Sequence, residues 1–112
     1  MGARPAPHRG DVVILRFAAP RAGATPSVRP ALTVSPEGYN HAVGVALFCP
    51  IVSMAKGYPF EVDVPAGMEF GGVVLADQLK RLDWRERRAQ RIGRLPAAVV
   101  DEVLRKLATL VG

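Results

Sequence analysis

Along this chain short apolar stretches alternate with breaks rich in glycine, proline and polar residues. Asp11-Val12-Val13-Ile14-Leu15-Arg16-Phe17 is apolar and β-branched, is entered through Gly10, and predicts a strand. Ala18 to Val28 is rich in Pro, Gly, Ala, Ser and Thr, carries Arg21 in its first half, and reads as a mobile loop. Arg29 to Ser35 is a second strand, stopped by Ser35-Pro36-Glu37-Gly38. Gly44 to Ile51 is almost wholly apolar, the pattern of a strand buried on both faces at the centre of a sheet. Pro59 to Val64 and Gly72 to Leu79 read as further strands, and Ala89 to Arg94 as a short basic one. Residues 1–9 show no such pattern and are expected to form a loose arm.

The end of the chain changes period. Val100, Val103, Leu104, Leu107 and Val111 recur at helical spacing and predict one apolar helix face. Pro96 suits the first turn, where its missing N–H is not needed. Asp101 and Glu102 come early and Arg105 and Lys106 four residues later, which suits both the helix dipole and i,i+4 pairing. The expected fold is mainly β with a C-terminal helix: one domain over residues 1–112, a small barrel capped by the helix.

Composition narrows the setting. A chain of 112 residues with 49% hydrophobic residues can bury one modest core without staples. No apolar run approaches the ~20 residues that span a bilayer, and Met1 to Arg9 lacks the apolar core of a secretory signal. Membrane partners are therefore not expected. Cys49 is the single cysteine, lies in an apolar run, and is expected to be a buried structural thiol in a cytoplasmic, reducing setting. Fifteen Lys and Arg against ten Asp and Glu give a net charge of +5, which favours a polyanionic partner.

Candidate chemistry is cationic and carboxylate. Arg29 heads a strand directly after the mobile loop, where its planar fork can hold a phosphate through two N–H groups. Lys56, at the Lys56-Gly57 turn, offers a second phosphate contact, with Tyr58 beside it at the lip of a strand. Asp77 lies within the apolar run Val73-Val74-Leu75-Ala76-Asp77-Gln78, where a carboxylate is costly unless it points out or is paired, so it stands out as a base or an acceptor. Seven cations lie between Lys80 and Arg94, with Trp84 among them as a stacking or interface ring. His8 and His41 have no ligand-like neighbours, and no metal or other cofactor is expected.

Several blocks carry a resemblance. Gly10-Asp11-Val12, Arg29-Pro30-Ala31, Ser35-Pro36 with Tyr39-Asn40, Cys49-Pro50, Lys56-Gly57-Tyr58-Pro59-Phe60-Glu61-Val62, Leu75-Ala76-Asp77-Gln78, Leu82-Asp83-Trp84-Arg85 and Gly93-Arg94-Leu95-Pro96 occur in this order over nearly the whole chain. In these blocks it resembles the MazF/PemK toxins of bacterial toxin–antitoxin pairs. The resemblance implies an SH3-like barrel of the PemK/CcdB type, in a homodimer that binds single-stranded RNA in a groove across its interface. It implies a sequence-specific, metal-independent endoribonuclease, in which 2′-hydroxyl attack leaves a 2′,3′-cyclic phosphate and a 5′-hydroxyl. It also implies inhibition by an antitoxin with an acidic, disordered tail.

On that resemblance Arg29 is catalytic, Asp77 acts in catalysis or reads RNA, and Phe17 and Lys56 meet RNA. Since arginine is a poor proton donor, Arg29 is assigned to the phosphorane charge, Asp77 to the base and Ser53 to the donor. Arg21, Tyr58 and Gln78 complete the expected RNA contacts. Two positions depart from the family pattern: Val52 stands where many relatives carry threonine, and Ala24 where the first loop usually carries glutamate. Loss of one donor near a developing oxyanion costs on the order of 10²–10³ in rate. A weakened homologue that binds RNA or antitoxin without efficient cleavage therefore stands as the alternative. Arg29 and the Lys56 to Val62 block argue against a gyrase-poisoning toxin of the CcdB type, which shares the barrel. Val12, Ile14, Val45, Leu47 and Phe48 offer apolar surface for the expected homodimer.

Overall fold

The computed structural model describes residues 4–111. Seven strands and two helices follow one another as β1 (Asp11–Phe17), β2 (Ser27–Thr33), α1 (Glu37–Val43), β3 (Ala46–Val52), β4 (Glu61–Asp63), β5 (Val73–Leu75), β6 (Lys80–Leu82), β7 (Gln90–Arg94) and α2 (Ala97–Val111). All strand pairs are antiparallel, and the sheet runs β4-β5-β3-β2-β1-β7 with β6 added to β3. The architecture is the expected mainly β, barrel-like sheet with a C-terminal helix, although the sheet does not close.

The apolar run of β3 is central as its pattern requires. It pairs with β2 along one side, and on the other with β6 at Ala46–Phe48 and β5 at Ile51–Val52. Side chains alternate across a strand, so the two faces build two cores. Val12, Leu32, Cys49, Ile51, Val62 and Val74 pack under α2 through Val100 and Val103. Val13, Leu15, Ala31, Ala46 and Phe48 pack on the other face around Trp84. Val12 and Phe48 are thus fully buried within the chain and offer no surface to a partner.

Four differences from expectation have identifiable causes. First, α1 forms where the sequence shows only the turn signal Ser35-Pro36-Glu37-Gly38: seven residues holding a glycine show no helical period. Tertiary bonds hold it. Asn40 is wholly buried, its Nδ2 donates to the carbonyls of Pro7 (2.8 Å) and Ser35 (3.0 Å), and its Oδ1 accepts from the Ser35 hydroxyl. Trp84 Nε1 donates to the Asn40 carbonyl at 2.9 Å. The helix ends at Gly44, whose left-handed φ of 82° a side chain would disfavour, so β3 starts two residues late at Ala46.

Second, residues 4–9 are not a loose arm. Ala6 joins the second core, Pro7 accepts from Asn40, and Arg9 Nε donates to the Val34 carbonyl at 2.8 Å; residues 1–3 lie outside the described part. Third, Trp84 is a core residue rather than an exposed stacking ring. Fourth, the apolar stripe of α2 runs out before its end: Val100 and Val103 are buried, but Val111 is 86% exposed. Of the expected i,i+4 pairs, Glu102–Lys106 forms at 3.8 Å, and Lys106 Nζ also donates to the Pro59 and Glu61 carbonyls, tying α2 to the start of β4.

Candidate active site

The site is built where the open ends of β1 and β2 meet the β6–β7 connection. Phe17 lies opposite Ser27, and Leu15 opposite Arg29. Phe17 and Arg29 are therefore diagonal neighbours on one face, a spacing of roughly 7–8 Å that long side chains close. The Arg29 guanidinium sits over the Phe17 ring, 4.9 Å from its centroid. A second guanidinium, from Arg87, lies 4.6 Å from the same centroid. Each such contact is worth about 0.5–1 kcal/mol where exposed. Together they fix two flexible cations against one half-buried ring.

Arg87 is held from behind. Its carbonyl accepts from the Arg16 N–H at 2.8 Å, and its N–H donates to the Asp83 carbonyl at 3.0 Å. It belongs to a turn over Asp83–Arg88 that Trp84 anchors in the core. Arg88 in that turn has a positive φ of 50°, an unusual conformation for a side chain with a Cβ. A narrow cleft opens beside Arg29, walled by Phe17, Pro30 and Pro50 over the buried Leu15 and Phe48, with Lys80 at its edge. Lys80 reaches it because β6 pairs Lys80 with Phe48. Apolar walls rimmed by Arg29 and Lys80 suit a phosphate with the edge of a flat ring beside it.

Asp77 is placed differently from its sequence reading. β5 ends at Leu75, and Asp77 lies exposed in the following turn rather than inside a strand. No burial penalty arises there. Gln78 follows it, exposed, its backbone N–H donating to the Leu75 carbonyl. Because β5 and β6 pair with successive parts of β3, the turn between them passes beside Cys49 and Pro50. Pro50 pairs on its other side with Ala31, two residues from Arg29. Asp77 and Arg29 thus flank β3 from opposite sides, about two strand spacings across and two to three residues along it, or roughly 12–14 Å apart at the backbone. Asp77 is also the charge acting on Cys49, whose thiol is pushed up to about 12, first by burial and then by this carboxylate.

Val52 and Arg29 have the same face parity, since the β2–β3 register pairs Ala31 with Pro50. Val52 on that face carries methyl groups and offers no hydrogen-bond donor. β3 ends at Val52 and the chain bends at once, leaving Ser53 exposed and outside the strand alternation. That bend is the condition under which Ser53 can turn its hydroxyl toward the site. Gly72 packs against it: a Cβ there would stand 1.9 Å from the Val52 carbonyl oxygen.

The remaining expected residues are more dispersed. Lys56 and Tyr58 are exposed on the β3–β4 connection. Both Glu61 carboxylate oxygens accept from the Lys56 N–H, and Oε1 also accepts from Gly57, so this loop is shaped by the strand that follows it. Arg21 is exposed in the β1–β2 loop, and its carbonyl closes a turn onto the Ala24 N–H. The structure thus brings together Phe17 and Arg29, adds Arg87 and Lys80, and leaves Arg21, Lys56 and Tyr58 on separate loops. Arg87 and Lys80 lay within the basic run but were not separable from its other members by spacing alone.

Residues 8–111 match the family model described as PemK-like, MazF-like toxin of type II toxin–antitoxin system. The chain is 37% identical over 112 residues to the endoribonuclease toxin MazF of Escherichia coli (strain K12), covering all of both chains. It is 36% identical to the endoribonuclease toxin ChpB of the same strain, covering 93% of each. Among solved structures it superposes on the Form-II crystal structure of MazE–MazF from Deinococcus radiodurans with a TM-score of 0.91 and 46% identity, covering 96% of both chains.

Proposed function

We propose, for a chain that belongs to the PemK-like, MazF-like toxin family of type II toxin–antitoxin systems, that Arg29 and Phe17 form the centre of its RNA-cleaving site. The protein is an endoribonuclease toxin of a toxin–antitoxin pair. The observation that carries the site assignment is the Arg29 guanidinium held over Phe17, with Arg87 on the same ring and Lys80 at the cleft edge.

The substrate in this reading is single-stranded RNA cut at a short sequence. A base rests against Phe17 and Pro50 while the scissile phosphate meets Arg29 and Lys80. The 2′-hydroxyl attacks its own phosphate, the P–O5′ bond breaks, and a 2′,3′-cyclic phosphate and a 5′-hydroxyl result. Arg29 supplies fixed positive charge to the phosphorane. Asp77 accepts the 2′-hydroxyl proton from the far side of β3, and Ser53 donates toward the leaving oxygen. Gln78, Lys56, Tyr58 and Arg21 contact flanking nucleotides from their loops. The partner is a cognate antitoxin, which the likeness to a MazE–MazF complex supports; its acidic tail competes for the same cations. The working form is a cytoplasmic homodimer, to whose interface the exposed Val28 and Met54 offer apolar side chains. Light scattering that gives a monomer at micromolar concentration would exclude it. Among the described residues no helix is long and apolar enough to cross a membrane.

The test is incubation with long single-stranded RNA in excess EDTA, with mapping of the ends. Discrete cuts leaving 2′,3′-cyclic phosphates, abolished in Arg29→Ala, are expected. Intact RNA that is still bound in a gel shift would favour the second reading, a site weakened by Val52 and Ala24. Val52→Thr with Ala24→Glu should then restore cutting.

A further inference from the structure

A second cationic cleft lies at the far end of β1, between residues 4–8 and β7, with a volume of about 510 Å³. It is separate from the Arg29 cleft: Asp11 and Phe17 stand at opposite ends of β1, about 20 Å apart at ~3.3 Å per residue. Its organising group is Asp11, only 4% exposed. Oδ1 accepts from Arg91 Nε at 3.2 Å and Arg94 Nη1 at 3.0 Å, and Oδ2 accepts from the His8 N–H at 2.9 Å.

A backbone irregularity makes this possible. Residues three apart on a regular strand point to opposite faces. The β1–β7 register shifts between Val12 and Val13, so Gly93 pairs with Val12, Arg91 with Val13, and Ile92 is the extra residue. A bulge of this kind reverses the alternation and re-aims side chains. Arg91 and Arg94 therefore reach one carboxylate.

The bulge leaves a surplus of positive charge. Arg91 and Arg94 remain 61% and 54% exposed although each is pinned by one bond. Arg4 joins them at the cleft wall, its Nη1 donating to the Ala89 carbonyl at 3.2 Å. Three guanidiniums against one carboxylate leave two net positive charges, with most of their N–H groups unused among the described residues. Ala6, Val13 and Ala89 give the cleft an apolar floor. The guanidinium rim presents planar N–H forks that match the oxygens of a phosphate, and the apolar floor beside it can take the edge of a ribose or base.

One segment links the two clefts. Arg87 stacks on Phe17, and the chain then runs through Arg88, Ala89 and Gln90 to Arg91. We propose that the Arg4–Arg91–Arg94 cleft is an exosite for a backbone phosphate of the same RNA strand, a few nucleotides beyond the one held at Arg29. This rests on the reading of the protein as an RNA-cleaving enzyme.

The experiment measures binding of 2′-O-methyl RNA, which cannot be cut, by fluorescence anisotropy across a salt series. One RNA is long enough to run from the Arg29 pocket past the cleft; the other covers only the pocket. The variants are Arg4→Ala, which loses one exposed bond, and Arg91→Gln, which leaves the Arg94–Asp11 bond in place. Each should weaken the long RNA by about twofold to fivefold, the range of an exposed ion pair, and make the salt slope shallower by about 0.7. The short RNA should bind as to the wild type, and circular dichroism should be unchanged. Equal affinity and slope for the long RNA in folded variants would overturn the proposal. So would an effect confined to inorganic phosphate, or to a polyglutamate peptide, which would assign the cleft to an acidic protein segment instead. If the wild type bound neither RNA and Arg29→Ala changed nothing, the RNA-cleaving reading would fail as well; unaltered variants beside an RNA-binding wild type would remove the exosite alone.

Discussion

Replacing Asn40 by alanine tests the account of how α1, the N-terminal segment and the Trp84 turn are joined. The Asn40 side chain is fully buried and makes three hydrogen bonds, to the Pro7 carbonyl, the Ser35 carbonyl and the Ser35 hydroxyl. Alanine removes all three and strands two buried carbonyls. The Ser35 hydroxyl still accepts from the Leu47 N–H at 2.9 Å but loses its own acceptor. A stranded buried polar group costs about 1–3 kcal/mol. Partial rescue by water in the vacated space lowers the sum, so about 3–5 kcal/mol is expected. At ~4 °C per kcal/mol for a domain of this size, Tm should fall by roughly 12–20 °C. Urea unfolding with an unchanged slope should report the same loss. His41→Ala is the control: it is the next residue on the same helix, is exposed, and should stay within about 0.5 kcal/mol. If Asn40→Ala lost no more than His41→Ala, the network would not be what holds these three segments together.

Gly72→Ala puts a Cβ 1.9 Å from the Val52 carbonyl oxygen at a φ of +108°, so the backbone beside the site must move; a loss above ~3 kcal/mol in chemical unfolding is expected. Cys49, raised from 9.0 to about 12, keeps its proton in the folded state where the unfolded chain releases it. That contribution is complete below about pH 9 and is lost as pH rises toward about 12, so Cys49→Ala should flatten the alkaline fall in stability. The native thiol should react with a disulfide reagent at pH 8 only as fast as the protein opens. Arg87→Ala removes the second cation from Phe17 and should slow RNA cleavage by about twofold to fivefold, the scale of one exposed cation–π contact, with Tm nearly unchanged.

What could be read from the sequence tracks how local each cause is. β1, central β3 and α2 were legible because burial on two faces, or on one helical stripe, leaves a pattern within a few residues. The helix α1 was not legible, because its stability comes from Pro7, Ser35 and Trp84, none of which is inside it. Trp84 was not legible as a core residue for the same reason: its charged neighbours are exposed, while the ring itself turns into the core to meet Asn40. Arg29 and Phe17 stand out in the sequence only singly; the β1–β2 register makes them diagonal neighbours in contact. Asp77 was singled out on a cost of burial that the turn after β5 removes, so its candidacy now rests on position beside β3. The Asp11 cluster was hidden by the β7 bulge, since a spacing of three normally separates two strand residues.

The central claim is that Arg29, fixed on Phe17, stabilises charge as RNA is cut. Its most direct test is single-turnover cleavage of an RNA carrying a mapped cut site, in EDTA, by wild type, Arg29→Lys and Arg29→Ala. The account predicts that Arg29→Ala loses on the order of 10²–10³ in rate at saturating RNA. Arg29→Lys should recover only part of it, because a point charge cannot replace a planar fork held against a ring. A wild-type rate in Arg29→Ala, with the same cut sites, would contradict the account and move the chemistry away from the Phe17 cleft.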